Sequence, residues 1–166
     1  MHTKGILTLR HACEDDAKML WEWANNPEVR AVSFSSKPIP WGEHVQWLKS
    51  RLNDPNCIFY IAINSDGIPI GQVRYDIEGN EAVISISIDK KFRGEGYGSI
   101  LIQLGSQKLF EISNIKEIHG YIKPANSASV RAFLRARFKN EGTVTIQGYH
   151  AIHFVLRREY LYEQLY

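Results

Sequence analysis

Between residues 6 and 10, Leu7 and Leu9 alternate with Ile6, Thr8 and Arg10, which predicts a short strand. The period then changes. Over residues 14–24, Ala17, Leu20, Trp21 and Ala24 recur on one apolar stripe, the spacing of a helix. Asn25-Asn26-Pro27 is expected to end it, because the residue before proline is pushed out of helical space. After a Ser- and Pro-rich loop over 33–40, a second helix is expected over 41–52, with Trp41, Val45, Leu48 and Leu52 facing the core. His44, Trp47 and Arg51 form a neighbouring stripe at helical spacing.

Strands are expected over 57–63, 69–77 and 81–88, joined at Ser65-Asp66-Gly67 and Gly79-Asn80. The second hairpin places Arg74 opposite Ser85 and Gln72 opposite Ser87. One sheet face then carries Gln72, Arg74, Asp76, Ser85 and Ser87, an unusually polar row for a face that helices should cover. Leu101, Gly105, Leu109 and Ile112 share one side of a helix over 96–112. A strand at 117–122, a helix at 126–137 and strands at 139–146 and 149–157 follow. The order β-α-α-β-β-β-α-β-α-β-β predicts an α+β chain. It would have a mixed, mostly antiparallel sheet, helices on both faces and one β-α-β crossover.

Composition narrows the function classes. The chain has 166 residues, which suits a single domain spanning 1–166. With 44% hydrophobic residues and a net charge of +2, it is neither a disordered chain nor a basic clamp for nucleic acid. No run of about 18 apolar residues predicts a membrane span, and Met1-His2-Thr3-Lys4-Gly5 has no apolar leader. Cys13 and Cys57 draw no disulfide framework and no zinc spacing, so a cytoplasmic location and no metal are expected. All four Trp fall in the first third of the chain; Trp21 and Trp41 read as core, whereas Trp23 and Trp47 lie off the core stripes.

The segment Ile84-Ser85-Ile86-Ser87-Ile88-Asp89-Lys90-Lys91-Phe92-Arg93-Gly94-Glu95-Gly96-Tyr97-Gly98 runs a strand into a basic, glycine-rich turn that opens a helix. Glycines allow positive φ and close approach of a ligand. The first N–H groups of the helix form an anion site. Gly98-Ser99-Ile100 lacks the lysine of a nucleoside-triphosphate loop, and a mainly antiparallel order does not suit a dinucleotide fingerprint.

A second segment, Asn126-Ser127-Ala128-Ser129-Val130-Arg131-Ala132-Phe133, follows one helix and one strand later. Together, Arg93-x-x-Gly96-x-Gly98 and Asn126-x-x-Ser129 with an aromatic at 133 resemble the GCN5-related N-acetyltransferase superfamily, and the element order matches that fold. The resemblance implies an N-acetyltransferase that uses acetyl-CoA as co-substrate, with direct attack by an amine. It implies that Arg93, Gly94, Glu95, Gly96, Tyr97, Gly98 and Ser99 hold the pyrophosphate. Ile86, Ser87 and Ile88 would pair with the pantetheine arm and supply an N–H to the thioester carbonyl. Asn126, Ser129 and Phe133 would complete the cofactor site, and Arg131 or Arg135 would reach a phosphate.

Two departures bear on catalysis. Phe133 stands where many relatives carry a tyrosine suited to protonating the thiolate, with Tyr121 or Tyr149 as substitutes. Val83 stands where a base carboxylate is expected, with Glu81 two residues away on the same face. Glu81 and His44 are therefore the candidate bases, with Asp76 and His119 behind them. His44, Trp47, Arg51 and Arg74 are the candidate acceptor-binding residues.

In the amino-terminal half, residues 20–30, Glu43-His44-x-x-Trp47 and Gly71-Gln72-Val73-Arg74 resemble acetyltransferases of nucleotide-linked amino sugars. Acetyltransferases of ribosomal-protein N-termini share part of the same pattern. A nucleotide-linked amino sugar is thus the expected acceptor. The alternatives are a ribosomal-protein N-terminal or polyamine acetyltransferase, or a weakened CoA-binding module. The Tyr-rich tail at 160–166 offers apolar surface to its own sheet or, in a homodimer, to a second subunit.

Overall fold

A computed structural model describes residues 5–163. The elements are β1 (Thr8–His11), a 3-10 turn (Glu14–Asp16), α1 (Ala17–Asn25), α2 (Pro27–Val32), α3 (Trp41–Asn53), β2 (Cys57–Ile63), β3 (Pro69–Glu78) and β4 (Glu81–Ile88). After a second 3-10 turn (Lys90–Phe92) come α4 (Tyr97–Ile112), β5 (Glu117–Ile122), α5 (Ser127–Arg135), β6 (Lys139–Ile146), β7 (Tyr149–Arg157) and α6 (Arg158–Glu163). The seven strands form one sheet in the order β1-β2-β3-β4-β5-β7-β6. Among the described residues only β4 and β5 pair in parallel, through Glu81↔Glu117, Ala82↔Ile118 and Val83↔His119. Beyond Val83 the two strands part, which opens the sheet beside Ser85 to Ile88. This is the expected α+β architecture.

The hairpin register is as the alternation predicts: Arg74 pairs with Ser85 and Gln72 with Ser87. On the opposite face Val73, Tyr75, Ala82 and Ile84 are buried in a core shared with Leu101 and Leu109 of α4 and with Phe133 and Phe154. Each such large side chain contributes about 1.5–3 kcal/mol of apolar transfer. A second, smaller core joins Leu20 and Trp23 of α1 and Leu48 of α3 to Phe59 and Ile61 of β2. The polar row on β3 and β4 therefore lies on the α1 and α3 side of the sheet.

Three local expectations change. Asn26-Pro27 ends α1 but also starts α2: Asn26 Oδ1 accepts from the Glu28 N–H at 3.0 Å, and Pro27 takes the first helical position. The α3 stripe is rotated, because His44 and Leu48 are its buried residues while Trp41 is 46% exposed. His44 Nε2 meets the Ala17 carbonyl at 2.8 Å, and that bond turns this side of α3 toward α1. Trp23 is core at 7% exposure, whereas Trp21 packs edge-on against Trp41 at 5.3 Å on the rim. The Trp21 indole N–H is tied to the Ile39 carbonyl at 2.8 Å, which holds it there.

Smaller shifts concern ends. Gly96 and Asn126 cap α4 and α5 rather than belonging to them, and Arg137 leaves α5 at a φ of 68°. The tail forms α6, with Leu161 against the main core, and residues 164–166 lie outside the described ones. Among the described residues, no helix is long and apolar enough to cross a membrane.

Candidate active site

Two cavities of about 450 and 600 Å³ lie side by side and share Val29, Ser33, Ile86 and Ser87 as walls. The larger is built where β4 turns into α4. Gly94 and Gly96 hold φ of 78° and 84°, the left-handed region that side chains resist, so the chain bends tightly enough to present the start of α4. The first N–H groups of α4 have no intrahelical acceptor, and the helix dipole adds partial positive charge beside them. Lys90 and Lys91 are exposed on the same turn. Arg93 is held in place by its bonds to the Ile88 carbonyl at 3.0 Å and to Glu28 at 2.8 Å, so it straps the turn to α2. The product is a concave anion site at the mouth of an extended groove.

That groove is lined by Ile86, Ser87 and Ile88, by Arg93, Gly94, Gly96, Tyr97, Gly98 and Ser99, and by Asn126 and Ser129. Arg131 and Arg135 stand on its α5 wall. Asn126 also accepts from the Ser129 N–H at 3.3 Å, so one side chain caps α5 and faces the groove. Two expected cofactor residues are placed elsewhere. Glu95 is exposed and lines neither cavity. Phe133 has no exposure: it stacks on Phe154 at 5.6 Å and meets Phe138 edge-on at 5.0 Å, so its ring belongs to the core. Position 133 cannot touch the groove because α5 presents that side to the sheet.

The smaller cavity lies between α1, α2, α3 and the polar sheet row. His44, Trp47 and Arg74 all line it, together with Gln72, Ser85 and Ser87. The Arg74 guanidinium sits 4.9 Å from the Trp47 ring centre and 5.8 Å from that of Phe59. It also bonds Asp76 at 3.1 Å and the Ser85 hydroxyl at 3.2 Å, so four contacts fix its direction. A carbonyl only accepts, so His44 donates through Nε2 to Ala17 and keeps its lone pair on Nδ1. Burial pushes its pKa down, outweighing the carbonyl bond that pulls it up, and the ring is held neutral.

Arg51 and Glu81 line neither cavity. Arg51 reaches Asp76 at 3.0 Å and Asp54 at 3.4 Å, and acts on the cavity only by fixing the partner of Arg74. Glu81, at the hairpin end, faces His119 and Glu117 instead. Tyr121 stacks on His153 and Tyr149 lies under Lys123, both outside the two cavities.

Sequence reasoning missed Val29, Arg30 and Ser33, which line the smaller cavity because α2 exists. The signal was present in Asn26-Pro27, a capping residue followed by a helix-starting proline. It also passed over Glu43 as a lining residue; Glu43 is the carboxylate among the described residues of this wall. Arg30 bonds the Ala24 and Ser35 carbonyls and the Ser33 hydroxyl, all neutral oxygens, and burial lowers its pKa. Cys57, which lines neither cavity, has its thiol pushed up to about 11 by burial and by the Asp76 charge.

Comparison with known proteins agrees with this geometry. The acetyltransferase (GNAT) domain family matches residues 7–139. Aminoglycoside N(6')-acetyltransferase type 1 of Klebsiella pneumoniae is 25% identical over 95% of this chain and 86% of that protein. The structure of AAC(6')-Ib with ribostamycin and coenzyme A superposes with a TM-score of 0.84 at 24% identity, covering 94% of this chain and 96% of that one. Spermidine N-acetyltransferase from Vibrio cholerae, solved with CoA and spermine, gives a TM-score of 0.82 at 19% identity, covering 92% and 96%. A glycine-rich turn beside a split sheet, a second cavity meeting its groove at Ser87 and the family match over residues 7–139 lead to one conclusion: the chain belongs to the GNAT acetyltransferases and is an N-acetyltransferase with acetyl-CoA as its co-substrate.

Proposed function

We propose that the acceptor is an amine on a small molecule that also carries an anionic group, with a nucleotide-linked amino sugar as the fitting chemistry. The observation that carries this reading is the charge of the acceptor cavity. Its described walls hold two guanidiniums, Arg30 and Arg74, and one carboxylate, Glu43. The Arg74 charge is met by Asp76, whereas Arg30 bonds only neutral oxygens, so an incoming phosphate would match it. Trp47 and Phe59 offer aromatic faces on which a sugar or a base can lie.

In this reading acetyl-CoA lies in the larger groove with its pyrophosphate on the turn at Gly94–Ser99. Its thioester lies against the shared wall at Ile86 and Ser87, where a β4 backbone N–H polarises the carbonyl. Glu43 draws the acceptor ammonium into the cavity. His44 Nδ1, the free lone pair of a neutral ring, takes the proton. The amine then attacks the carbonyl carbon directly, and the C–S bond breaks to release CoA thiolate. A thiol of ordinary pKa about 8.5 leaves readily as the anion, so the loss of a phenol at Phe133 is tolerable. An acetyl-cysteine route has no support, since Cys57 is held protonated and Cys13 is exposed, and neither lines a cavity.

The second reading is a polycationic acceptor, favoured by the relatives named for aminoglycosides and spermidine. Free thiol release from acetyl-CoA, compared across a UDP-4-amino-4,6-dideoxyhexose, kanamycin, spermidine and an N-terminal peptide, separates the readings. The sugar nucleotide should give the highest kcat/KM. Turnover of kanamycin or spermidine with none of the sugar nucleotide would overturn the anionic acceptor while leaving acetyl transfer intact.

A further inference from the structure

Away from both cavities, the parallel pairing of β4 and β5 brings Glu81 of β4 beside Glu117 and His119, two residues apart on β5. His119 is only 12% exposed, and its Nε2 is closed off from solvent without a hydrogen-bond partner. Glu117 Oε2 lies 3.2 Å from that nitrogen and Glu81 Oε1 lies 3.7 Å from it. All three donor atoms fall within 4.8 Å of one another. Neither carboxylate accepts a hydrogen bond from Nε2, and Glu81 is too distant for one.

We propose that Glu81 Oε1, Glu117 Oε2 and His119 Nε2 form a binding site for one divalent cation of the zinc type. A cation bonded at about 2.0–2.1 Å in tetrahedral geometry separates its ligands by about 3.4 Å, which the 3.2 and 3.7 Å spacings bracket. A lone pair pointing between two carboxylates is repulsive unless a positive charge sits among them. The surroundings orient two of the three ligands, His119 and Glu117. His119 Nδ1 lies 2.8 Å from His153 Nε2, and His153 is itself stacked on Tyr121. With Nδ1 donating to His153, Nε2 presents its lone pair, the usual arrangement behind a metal-bound imidazole. Arg157 holds the other oxygen of Glu117 at 3.1 Å and is matched by Glu141 at 2.7 Å, which leaves Oε2 free to face the cation. One imidazole with two carboxylates suits zinc better than magnesium, which prefers oxygen ligands and its own waters. The fourth position opens on the side of Glu81, which is 55% exposed.

None of the three residues lines either cavity. The site sits on the paired stretch of β4 and β5, just before the strands part for the cofactor, and a bound cation would pin that pairing. The test uses the full chain stripped with chelator, then titrated with zinc chloride by calorimetry. Thermal unfolding and metal content after gel filtration are measured in parallel. The expected result is one zinc per chain and a raised Tm, with Glu81→Gln and His119→Gln each weakening binding about tenfold or more. Cys13→Ser should leave binding unchanged, which excludes the exposed thiol as the ligand. Glu81→Gln changes an exposed side chain and keeps the fold testable if His119→Gln fails. Absence of stoichiometric zinc, or equal binding by the wild type and Glu81→Gln, overturns the proposal.

Discussion

The indole N–H of Trp23 donates to Asp89 Oδ2 at 2.8 Å, and the other oxygen of Asp89 accepts from the Lys91 N–H at 2.8 Å. One carboxylate thus joins α1, a wall of the smaller cavity, to the turn that leads into α4 beside the larger groove. Trp23→Phe keeps most of the ring packing but leaves Asp89 Oδ2 unpaired. A loss of about 2 kcal/mol in chemical denaturation is expected, as for a hydrogen bond to a charged group. KM should rise for both substrates. A change confined to the acceptor would show that the bond does not couple the two sites.

The anion-site reading of Gly96 separates shape from charge. At a φ of 84°, Asn is the side chain best able to replace glycine, and Asp has the same shape with a negative charge. Gly96→Asp should bind acetyl-CoA about tenfold more weakly than Gly96→Asn, because its carboxylate faces the pyrophosphate and offsets the helix dipole. Calorimetry on the two variants measures the difference. Equal affinities would remove the electrostatic argument and leave only backbone strain.

For His44, structure and catalysis make different demands. Gln retains a donor near Nε2 that reaches the Ala17 carbonyl but has no base to offer, whereas Ala removes both. His44→Gln is expected to keep its Tm while kcat falls about a hundredfold, in the range of a lost general base. His44→Ala should lose stability as well.

The same residue gives a signed pH dependence. Its pKa is lower in the fold than the ordinary value of 6.5, so the unfolded chain binds the proton more readily. This contribution to stability is complete above 6.5 and is lost as pH falls from there toward the folded value. Urea midpoints measured from pH 8 to pH 5 should therefore fall on the acid side, and less steeply in His44→Gln.

Arg30 tests the acceptor's charge. Arg30→Gln should raise KM for an anionic acceptor about tenfold and leave that for acetyl-CoA unaltered, since its guanidinium lines only the acceptor cavity. Steady-state kinetics with the sugar nucleotide and with spermidine would show the change in opposite directions for the two. Parallel losses would mean that Arg30 only supports the loop through Ala24 and Ser35.

What the chain determined locally was legible before folding. Alternation over β3 and β4 set the face of Gln72, Arg74, Ser85 and Ser87, because a strand's period is fixed at two and the short turn at Gly79 fixes the register. Glycines at 94 and 96 marked the tight turn before α4, because a need for positive φ is written in single residues. Tertiary structure decided the rest. Helical stripes are broad, and the cross-helix bond of His44 to Ala17, with Leu48 packed on Leu20, Trp23, Phe59 and Ile61, accompanies a face of α3 that buries His44 and leaves Trp41 on the rim. Phe133 became core and Arg51 became a support for Asp76 through partners far away in the chain. Glu81, Glu117 and His119 meet only because β5 returns parallel to β4, and no local spacing encodes a contact between strands separated by a whole helix.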